Sequence, residues 1–325
     1  MILTLTPNPA VDVTLVTEHV DRGASRSIDT ALRRAGGKGV NVSRVLVQQG
    51  VPTHAVLPVG RDDEAWFRED LAAVPHTLVV CEAPTRHSYA IVETGEHTTS
   101  MLNESGAARG AREWEEVLTA LHGPVRRADV LVASGSLPPG APSGTLQALT
   151  VLGRSAGIPV VLDVAGSHLL AAADAGADVL KPNLDELVAA LGEVEPLDGA
   201  RALQRRGARL VVVSLGADGM LLVPVHGDPV HARLTTPLDG NPTGAGDAAV
   251  AAVASLVRGR DVASLDHDDL TSVARRAVAW SAAAVLSPWA GELSGDPVAL
   301  EDDVVVSEHP RAGAPAPVPP GPYTS

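Results

Sequence analysis

A glycine-rich turn at residues 241–246 leads directly into a stretch rich in alanine and valine that favours a buried helix. Free backbone N–H groups and the positive end of the helix dipole would converge at this turn, so it could hold a phosphate-sized anion. Asp247 stands at the mouth of the turn, where its carboxylate could accept a proton from a hydroxyl that attacks phosphorus. Asp247 could instead cap the helix, and the segment alone leaves both roles open.

A second glycine-rich segment spans residues 35–46 and contains one of the two lysines of the chain. Its glycines let the backbone approach a ligand closely, and Lys38 supplies a point charge. Asn41 lies about one helical turn further on, so both side chains can face one site. The glycine spacing is not that of a Walker A loop. A tight turn with a solvated lysine is the alternative.

The second lysine opens a segment in which Asn183 and Glu186, three residues apart, share one helix face. Asn183 as an N-cap with Glu186 closing a capping box is one interpretation. In the other, Glu186 holds a hydrated Mg²⁺ that accompanies nucleotide phosphates, since Mg²⁺ keeps its waters and takes few protein ligands. Both interpretations can hold together.

Three further segments follow or precede apolar runs in positions suited to ligand binding. Residues 214–219 turn on glycines after an apolar run, as either a nucleotide-binding loop or a plain hairpin turn would. Residues 134–140 leave a predicted strand at the end where open α/β sheets bind ligands. Arg86 could hold a phosphate with two hydrogen bonds, or could be a surface arginine.

Short apolar runs that alternate with helical segments must position these residues. The runs are residues 2–5, 128–133, 159–162, 178–180 and 209–214, and the helical segments are residues 40–49, 113–121, 143–156, 184–191 and 200–206. Strands and helices at this spacing predict an α/β fold, with a doubly wound, mostly parallel sheet and helices on both faces.

Two stretches with alternating apolar and polar residues break this rhythm, at about residues 11–34 and 86–102. They predict half-exposed antiparallel strands that form a small β-sheet, either a lid over a cleft or a surface ribbon. We expect residues 1–306 to form a single domain. The Pro/Ala-rich residues 307–325 are typical of a disordered tail.

The amino-acid composition limits the kinds of molecule that the chain can bind. The chain has 325 residues and a net charge of −14, from 39 acidic and 25 basic side chains, which argues against nucleic acid and membrane surfaces as partners. The single cysteine, Cys81, excludes an intramolecular disulfide and fits a reducing compartment. Without a signal peptide or an apolar run of ~20 residues, a cytoplasmic location is expected.

In this order and at this spacing, the segments resemble the ribokinase-like (pfkB-type) carbohydrate kinases, in the branch of 1-phosphofructokinase and tagatose-6-phosphate kinase. The resemblance extends to about Leu300. The motifs that carry it are residues 4–12, 36–41, 85–86, 103–104, 135–138, 181–183 with Glu186, 214–216 with Gly219, and 244–247.

The resemblance implies ATP-dependent phosphorylation of a sugar phosphate, foremost fructose 1-phosphate at O6 to give fructose 1,6-bisphosphate. Tagatose 6-phosphate or fructose 6-phosphate is the alternative substrate, and a catalytically silent sugar-phosphate-binding regulator is the alternative of another class.

Site residues follow from the resemblance. Asp247 matches the catalytic base, and Gly244, Ala245 and Gly246 match the backbone anion hole. Substrate contacts match Asp12, Gly37, Lys38, Asn41, Arg86 and Ser136. ATP-site positions match Lys181, Asn183, Ser214, Gly216 and Gly219, with Glu186 binding Mg²⁺ through water. The resemblance also implies a homodimer that pairs through the lid.

Three positions depart from the usual pattern of this branch. After Asp163, residues 164–167 replace a Thr-Ser-Gly-Glu sequence, and Ser88 stands where asparagine is common. Both departures bear on the choice of sugar. Trp289 lies in a loop usually built around Pro-Gly-Thr, and this departure concerns the nucleotide side.

Overall fold

Fourteen β-strands and ten α-helices lie within residues 1–25, 27–28, 31–95 and 98–308, which the computed structural model describes. The strands are β1 (Ile2–Leu5), β2 (Ala10–Thr17), β3 (Ala31–Gly36), β4 (Thr53–Gly60), β5 (His76–Cys81), β6 (Arg86–Glu93), β7 (Thr98–Asn103), β8 (Val130–Ser134), β9 (Val160–Asp163), β10 (Val179–Leu180), β11 (Leu210–Ser214), β12 (Met220–Pro224), β13 (Val230–Leu234) and β14 (Val304–Glu308). The helices are α1 (Lys38–Gln48), α2 (Glu64–Asp70), α3 (Ala111–Val125), α4 (Thr145–Ala156), α5 (Ser167–Asp174), α6 (Leu184–Leu191), α7 (Pro196–Arg206), α8 (Ala245–Val257), α9 (His267–Val285) and α10 (Pro297–Asp302).

Ten strands form the main sheet in the order β14-β13-β12-β11-β10-β9-β8-β1-β4-β5. Seven neighbouring strands of this sheet, β11-β10-β9-β8-β1-β4-β5, are parallel. Strands β12, β13 and β14 add an antiparallel edge. Helices cover both faces, since one apolar core includes α1, α8 and α9 and a second includes α3 to α7. The predicted α/β fold with a doubly wound, mostly parallel sheet is confirmed.

Side-chain size explains why α8 can lie deep in the core. Its residues from Ala248 to Ala254 are all buried, and all are alanine or valine. A helix that is apolar on every side must be covered on every side. The small side chains let α9 and the sheet approach α8 closely, and this packing fixes the position of the turn before it.

The two alternating stretches form a four-stranded sheet in the order β3-β2-β6-β7, which we call the lid sheet. Pairing within each stretch is antiparallel, as the alternation predicts. The stretches meet through β2 and β6, however, and these two strands are parallel. Alternation reports which face of a strand is buried and carries no information on the direction of its neighbour.

Several element boundaries differ from the predictions by a few residues, and two of these differences affect the description of the chain. Helix α7 begins at Pro196, four residues before the predicted start, because proline suits the first turn of a helix. Ser307 and Glu308, predicted to begin the tail, complete β14 and pair with β13. The remaining tail residues, 309–325, and residues 26, 29, 30, 96 and 97 of the two alternating stretches lie outside the described residues. Within the described part of the chain, no helix is both long and apolar enough to cross a membrane.

Candidate active site

A cleft of about 1270 Å³ opens between the carboxyl edge of the main sheet and the lid sheet. Ligands of open α/β sheets bind at this edge. Every site residue predicted from the sequence lines this cleft: Asp12, Gly37, Lys38, Asn41, Arg86, Ser136, Lys181, Asn183, Glu186, Ser214, Gly216, Gly219, Gly244, Ala245, Gly246 and Asp247.

The glycine turn before α8 has the geometry of an anion site. Gly244 adopts a left-handed conformation, with φ of 87°, and no side chain caps the helix. The Ala245 amide donates to the carbonyl of Pro242 at 3.2 Å. Within the described chain, the amides of Gly246 and Asp247 have no protein acceptor. These two amides, rather than that of Ala245, are free to bind an anion at the positive end of the helix.

Asp247 is the third residue of α8 and does not cap the helix, since Gly244 occupies the N-cap. Its carboxylate Oδ2 accepts a hydrogen bond from Asn41 Nδ2 at 2.8 Å, and the residue is 5% exposed. Burial raises the pKa of Asp247 to about 7, although Lys38 and Asn41 act in the opposite direction. A carboxylate with this pKa is suited to accept a proton near neutral pH.

Asn41 lines the cleft and also contacts the candidate base. The resemblance assigns Asn41 to the substrate, and in the structure its amide donates to the carboxylate of Asp247. Asn41 belongs to the first turn of α1 and is itself buried. This hydrogen bond fixes the direction in which Asp247 points.

Asp163, which was not among the predicted site residues, joins the two lysines. Its Oδ2 lies 3.4 Å from Lys38 Nζ, and its Oδ1 lies 3.5 Å from Lys181 Nζ. Ser134 Oγ also donates to Oδ2, at 2.8 Å. Burial alone would raise the pKa of Asp163, but Lys181 and Lys38 outweigh it, so the pKa lies below its ordinary value. The same ion pair with Asp163 raises the pKa of Lys38.

The register of the parallel strands explains why Asp163 lies beside Ser134 and Lys181. Asp163 ends β9 beside Ser134 at the end of β8. Leu180 of β10 pairs with Leu162, so Lys181 follows directly beside Asp163. A sequence signal existed, since Asp163 ends an apolar run as Ser134 and Lys181 do, but a single aspartate after a strand is too common to single out.

The two ammonium groups converge on the glycine turn and on α6. A Cβ atom at Gly246 would lie 3.4 Å from Lys181 Nζ, which places Lys181 against the turn. Lys38 Nζ lies 3.8 Å from Glu186 Oε1. Positive charges fixed in this way can stabilise negative charge that develops on a transferred phosphoryl group.

Asn183 and Glu186 form the predicted capping box at the start of α6. Asn183 Oδ1 accepts from the Glu186 amide at 2.7 Å, and Glu186 Oε2 accepts from the Asn183 amide at 2.9 Å. The structural interpretation of this pair is confirmed. Glu186 Oε1 remains directed to the cleft beside Lys38.

The lid side of the cleft carries Arg86 and Asp12. Arg86 Nε donates to the carbonyl of Asn8 at 3.2 Å, and Nη1 donates to that of Glu104 at 3.3 Å. Carbonyl groups orient the guanidinium without neutralising it, so its charge remains available to an anion. Burial raises the pKa of Asp12 to about 6, although Arg86 acts to lower it.

Asn8 was not predicted as a separate site residue and holds two loops of the cleft together. Its Nδ2 donates to Ser136 Oγ and to the carbonyl of Ser105, both at 3.1 Å. A side chain at Gly106 would lie 2.7 Å from Asn8 Oδ1. Asn8 therefore fixes Ser136 at the mouth of the cleft.

The opposite end of the cleft is apolar. Its lining includes Leu215, Met220, Leu234, Pro237, Val278 and Ala282. The loop with Ser214, Gly216 and Gly219 is also the hairpin turn between β11 and β12. Gly219 is required by the fold alone, since its φ is 86° and a Cβ would lie 2.0 Å from the carbonyl of Ala232. Apolar walls of this kind suit a flat ring.

Two of the sequence departures have clear positions. Ser88 is buried, and its Oγ donates to Asn103 Oδ1 at 2.7 Å inside the cleft. Ala165 lines the cleft, whereas Ser167 begins α5 and is exposed outside it. Of the segment after Asp163, only Ala165 can therefore face a ligand directly.

Comparison with known proteins adds a family and relatives. Residues 10–294 match the pfkB family carbohydrate kinases. A 1-phosphofructokinase of Xanthomonas campestris is 34% identical over 292 residues, which cover 86% of this chain and 89% of that protein. The ATP-dependent 6-phosphofructokinase isozyme 2 of Mycobacterium tuberculosis is 33% identical over 261 residues, 78% of this chain and 76% of that protein. The crystal structure of phosphofructokinase-2 from Escherichia coli in complex with fructose-6-phosphate has a TM-score of 0.79 and 27% identity, covering 93% of this chain and 98% of that one.

The buried carboxylate of Asp247 predicts a pH-dependent stability. Because its pKa in the folded chain is about 7 and thus above the ordinary value of 3.8, folding is favoured by protonation, and this contribution is lost as the pH rises through about 7. Asp247→Asn removes the buried charge. Thermal unfolding should show the variant gaining in Tm over the wild type between pH 5 and pH 8. The exposed Asp62→Asn serves as control and should show no such trend. A constant difference across this range would contradict the assignment.

Proposed function

Because the chain belongs to the pfkB family of carbohydrate kinases, we propose that it transfers the γ-phosphate of ATP to the 6-hydroxyl of fructose 1-phosphate. The observation that carries this proposal is the buried Asp247 carboxylate, hydrogen-bonded by Asn41 and adjacent to the two unpartnered amides of the glycine turn. The 1-phosphofructokinase of Xanthomonas campestris, at 34% identity, supports the choice of sugar.

The residues divide the reaction between a base and an anion site. Asp247 accepts the proton of the 6-hydroxyl as its oxygen bonds to the γ-phosphorus, and the bond from that phosphorus to the bridging oxygen of ADP breaks. The amides of Gly246 and Asp247, with Lys181 beside them, bind the oxygens of the moving phosphoryl group. Positioning and charge neutralisation are sufficient for this reaction, and no covalent intermediate is needed.

Magnesium fits the donor set at Glu186. Oε1 of Glu186 faces the cleft, while Oε2 is used in the capping box. Among the described residues, no group of three or more His, Cys, Asp or Glu side chains could hold a metal. One carboxylate oxygen with waters and nucleotide phosphates is the set that Mg²⁺ commonly takes, and the ion would neutralise phosphate charge there.

The phosphate already on the sugar is assigned to Arg86 and Lys38, with Asp12 accepting a sugar hydroxyl and Ser136 at the mouth. Arg86 supports this assignment because its two hydrogen bonds go to backbone carbonyls, while the carboxylates of Asp12 and Glu104 lie near enough to act on its charge. ATP is assigned to Lys181, Asn183 and the hairpin turn, with its base on the apolar wall.

Fructose 6-phosphate or tagatose 6-phosphate is the second candidate substrate. The 6-phosphofructokinase isozyme 2 of Mycobacterium tuberculosis, at 33% identity, favours it. Both substrates would use the same base and anion site, and only the position of the phosphate relative to Arg86 would differ. The intact Asp247 and glycine turn disfavour a catalytically silent regulator.

The proposal also covers the domain organisation, the oligomeric state and the location of the protein. Residues 1–306 are taken as one kinase domain, and two copies are taken to pair through the lid sheet. Exposed apolar side chains on that sheet support pairing, with Leu102 58% and Val16 41% exposed. The supply of ATP and the free thiol of Cys81 favour the cytoplasm.

A substrate panel tests the proposed reaction. In a coupled ADP-release assay, kcat/KM for fructose 1-phosphate should exceed that for fructose 6-phosphate and tagatose 6-phosphate by at least about tenfold. Unphosphorylated fructose should fall lower by about 10²-fold or more, since it has no phosphate to form charge-assisted hydrogen bonds with Arg86 and Lys38. Equal activity on fructose would overturn the assignment of Arg86 and Lys38, and a preference for a 6-phosphate would establish the second candidate.

Replacement of the base separates chemistry from binding. Asp247→Asn should lower turnover by at least about 10²-fold while Mg·ATP binding, measured by calorimetry, stays largely intact. The variant keeps the shape of the side chain and loses only its basicity. Unchanged turnover would exclude Asp247 as the base.

Two lysine variants test the division between the ligands. Lys38→Ala should raise KM for the sugar phosphate, and Lys181→Ala should raise KM for Mg·ATP, each by roughly tenfold or more because a charged hydrogen bond is lost. Arg112→Ala, an exposed cation outside the cleft, is the control. Since both lysines share Asp163, a rise in KM for the same ligand in both variants would show that they act as one unit.

A further inference from the structure

The loop between α9 and α10 touches three separate parts of the molecule. We call residues 286–292 the bridging loop; it contains Trp289, one of the departures from the family pattern. Its contacts reach the glycine turn, helix α1 and the lid sheet. Of the residues of this loop, only Ala290 lines the ligand cleft.

The first contact is with the glycine turn. A Cβ atom at Gly244 would lie 2.9 Å from Ala290 Cα and 3.2 Å from the Gly291 amide nitrogen. Asn241 Nδ2 also donates to the carbonyl of Pro288, at 3.3 Å. The turn therefore rests directly on the backbone of the bridging loop, and a shift of the loop would move the turn.

The second contact is with the residue that orients the base. A Cβ atom at Gly291 would lie 3.0 Å from Asn41 Cα and 3.1 Å from Asn41 Oδ1. The loop thus packs against Asn41, which donates to Asp247. Both the anion site and the base are supported from the same side by the same few residues.

The third contact is with the lid sheet. Arg34 on β3 places its Cζ 5.8 Å from the ring centroid of Trp289, and its Nη2 donates to Glu292 Oε1 at 2.7 Å. Arg34 pairs in register with Asp12 of β2. Strand β3 then continues through Gly37 into α1. One arginine therefore connects the sugar side of the lid sheet to the loop beneath the phosphoryl site.

The neighbouring residue provides a natural comparison. Arg33 places its Cζ 5.6 Å from the ring of Trp66 on α2. Successive residues of a strand point to opposite faces, so the two arginines make the same kind of contact with different parts of the molecule. Only the contact of Arg34 leads to the glycine turn.

We propose that Arg34, Trp289 and Glu292 form a clamp that holds the bridging loop against the lid sheet and so positions the glycine turn and the Asn41–Asp247 pair for phosphoryl transfer. The three are positioning residues, because none of them lines the cleft. The inference rests on the proposed kinase activity. Such partly exposed contacts add little to stability, whereas a misplacement of about 1 Å at reacting groups can cost 10²-fold in rate.

The kinetic test compares matched variants of the full chain with Mg·ATP and fructose 1-phosphate. Arg34→Ala should lower kcat by about tenfold or more, with both KM values within about threefold and Tm within about 5 °C of the wild type. Arg33→Ala, the matched control, should keep kcat within about twofold. Trp289→Ala should behave like Arg34→Ala, and Trp289→Phe, which keeps a flat ring, should retain most of the activity. Equal kcat values for the Arg33 and Arg34 variants would overturn the clamp.

A second measurement needs no substrate. Hydrogen exchange in the unliganded chain should be faster in Arg34→Ala, and unchanged in Arg33→Ala, at the amides of Asn241 and Ala248, which donate to Val285 and Gly244 at 2.9 Å each. Unchanged exchange in Arg34→Ala would overturn the clamp. A wild type without turnover on any sugar phosphate would overturn the proposed function instead, and the exchange rates alone would then decide on the clamp.

Discussion

The pairing of both lysines with Asp163 is the interaction on which the cleft depends. Two ammonium groups close together repel each other, and a buried lysine without a partner loses its charge or destabilises the fold. Asp163 offers one carboxylate oxygen to each lysine and is itself fully buried. Its presence allows two positive charges to remain beside the glycine turn, in a chain whose net charge is −14. Asp163 thus keeps both lysines charged in the cleft without itself having to contact a ligand.

Strand order places that residue. Ser134, Asp163 and Lys181 come from three consecutive parallel strands and meet only because the carboxyl ends of β8, β9 and β10 share one edge. The lid sheet is tied to the same edge, since β3 leads through Gly37 into α1. The lid sheet, which carries Asp12 and Arg86, is therefore connected directly to α1, the helix that carries Lys38 and Asn41.

Structural features that a few consecutive residues determine could be predicted from the sequence. Features that depend on how distant segments pair or pack could not. The capping box of Asn183 and Glu186 and the turn before α8 are local, and both occur as predicted. The parallel pairing of β2 with β6 joins segments far apart in the chain, and alternation does not encode it. The position of Asn41 on Asp247 likewise depends on the packing of α1 against α8. The hydrogen bond from the Ala245 amide to the carbonyl of Pro242 depends on the conformation of the turn, which the number of glycines does not determine.

Because both lysines lie in one cleft, reagents that react with amines would modify this protein in an unusual way. Reagents that acylate side-chain amines, including acetyl donors and many cross-linkers, find only Lys38 and Lys181 in the sequence. Lys38 keeps 41% of its side chain exposed and Lys181 only 5%, so Lys38 is the more accessible of the two to such reagents. Neutralising that amine would leave Asp163 with one cationic partner instead of two. Labelling of side-chain amines, which on most proteins modifies the outer surface, would here report on the occupancy of the cleft.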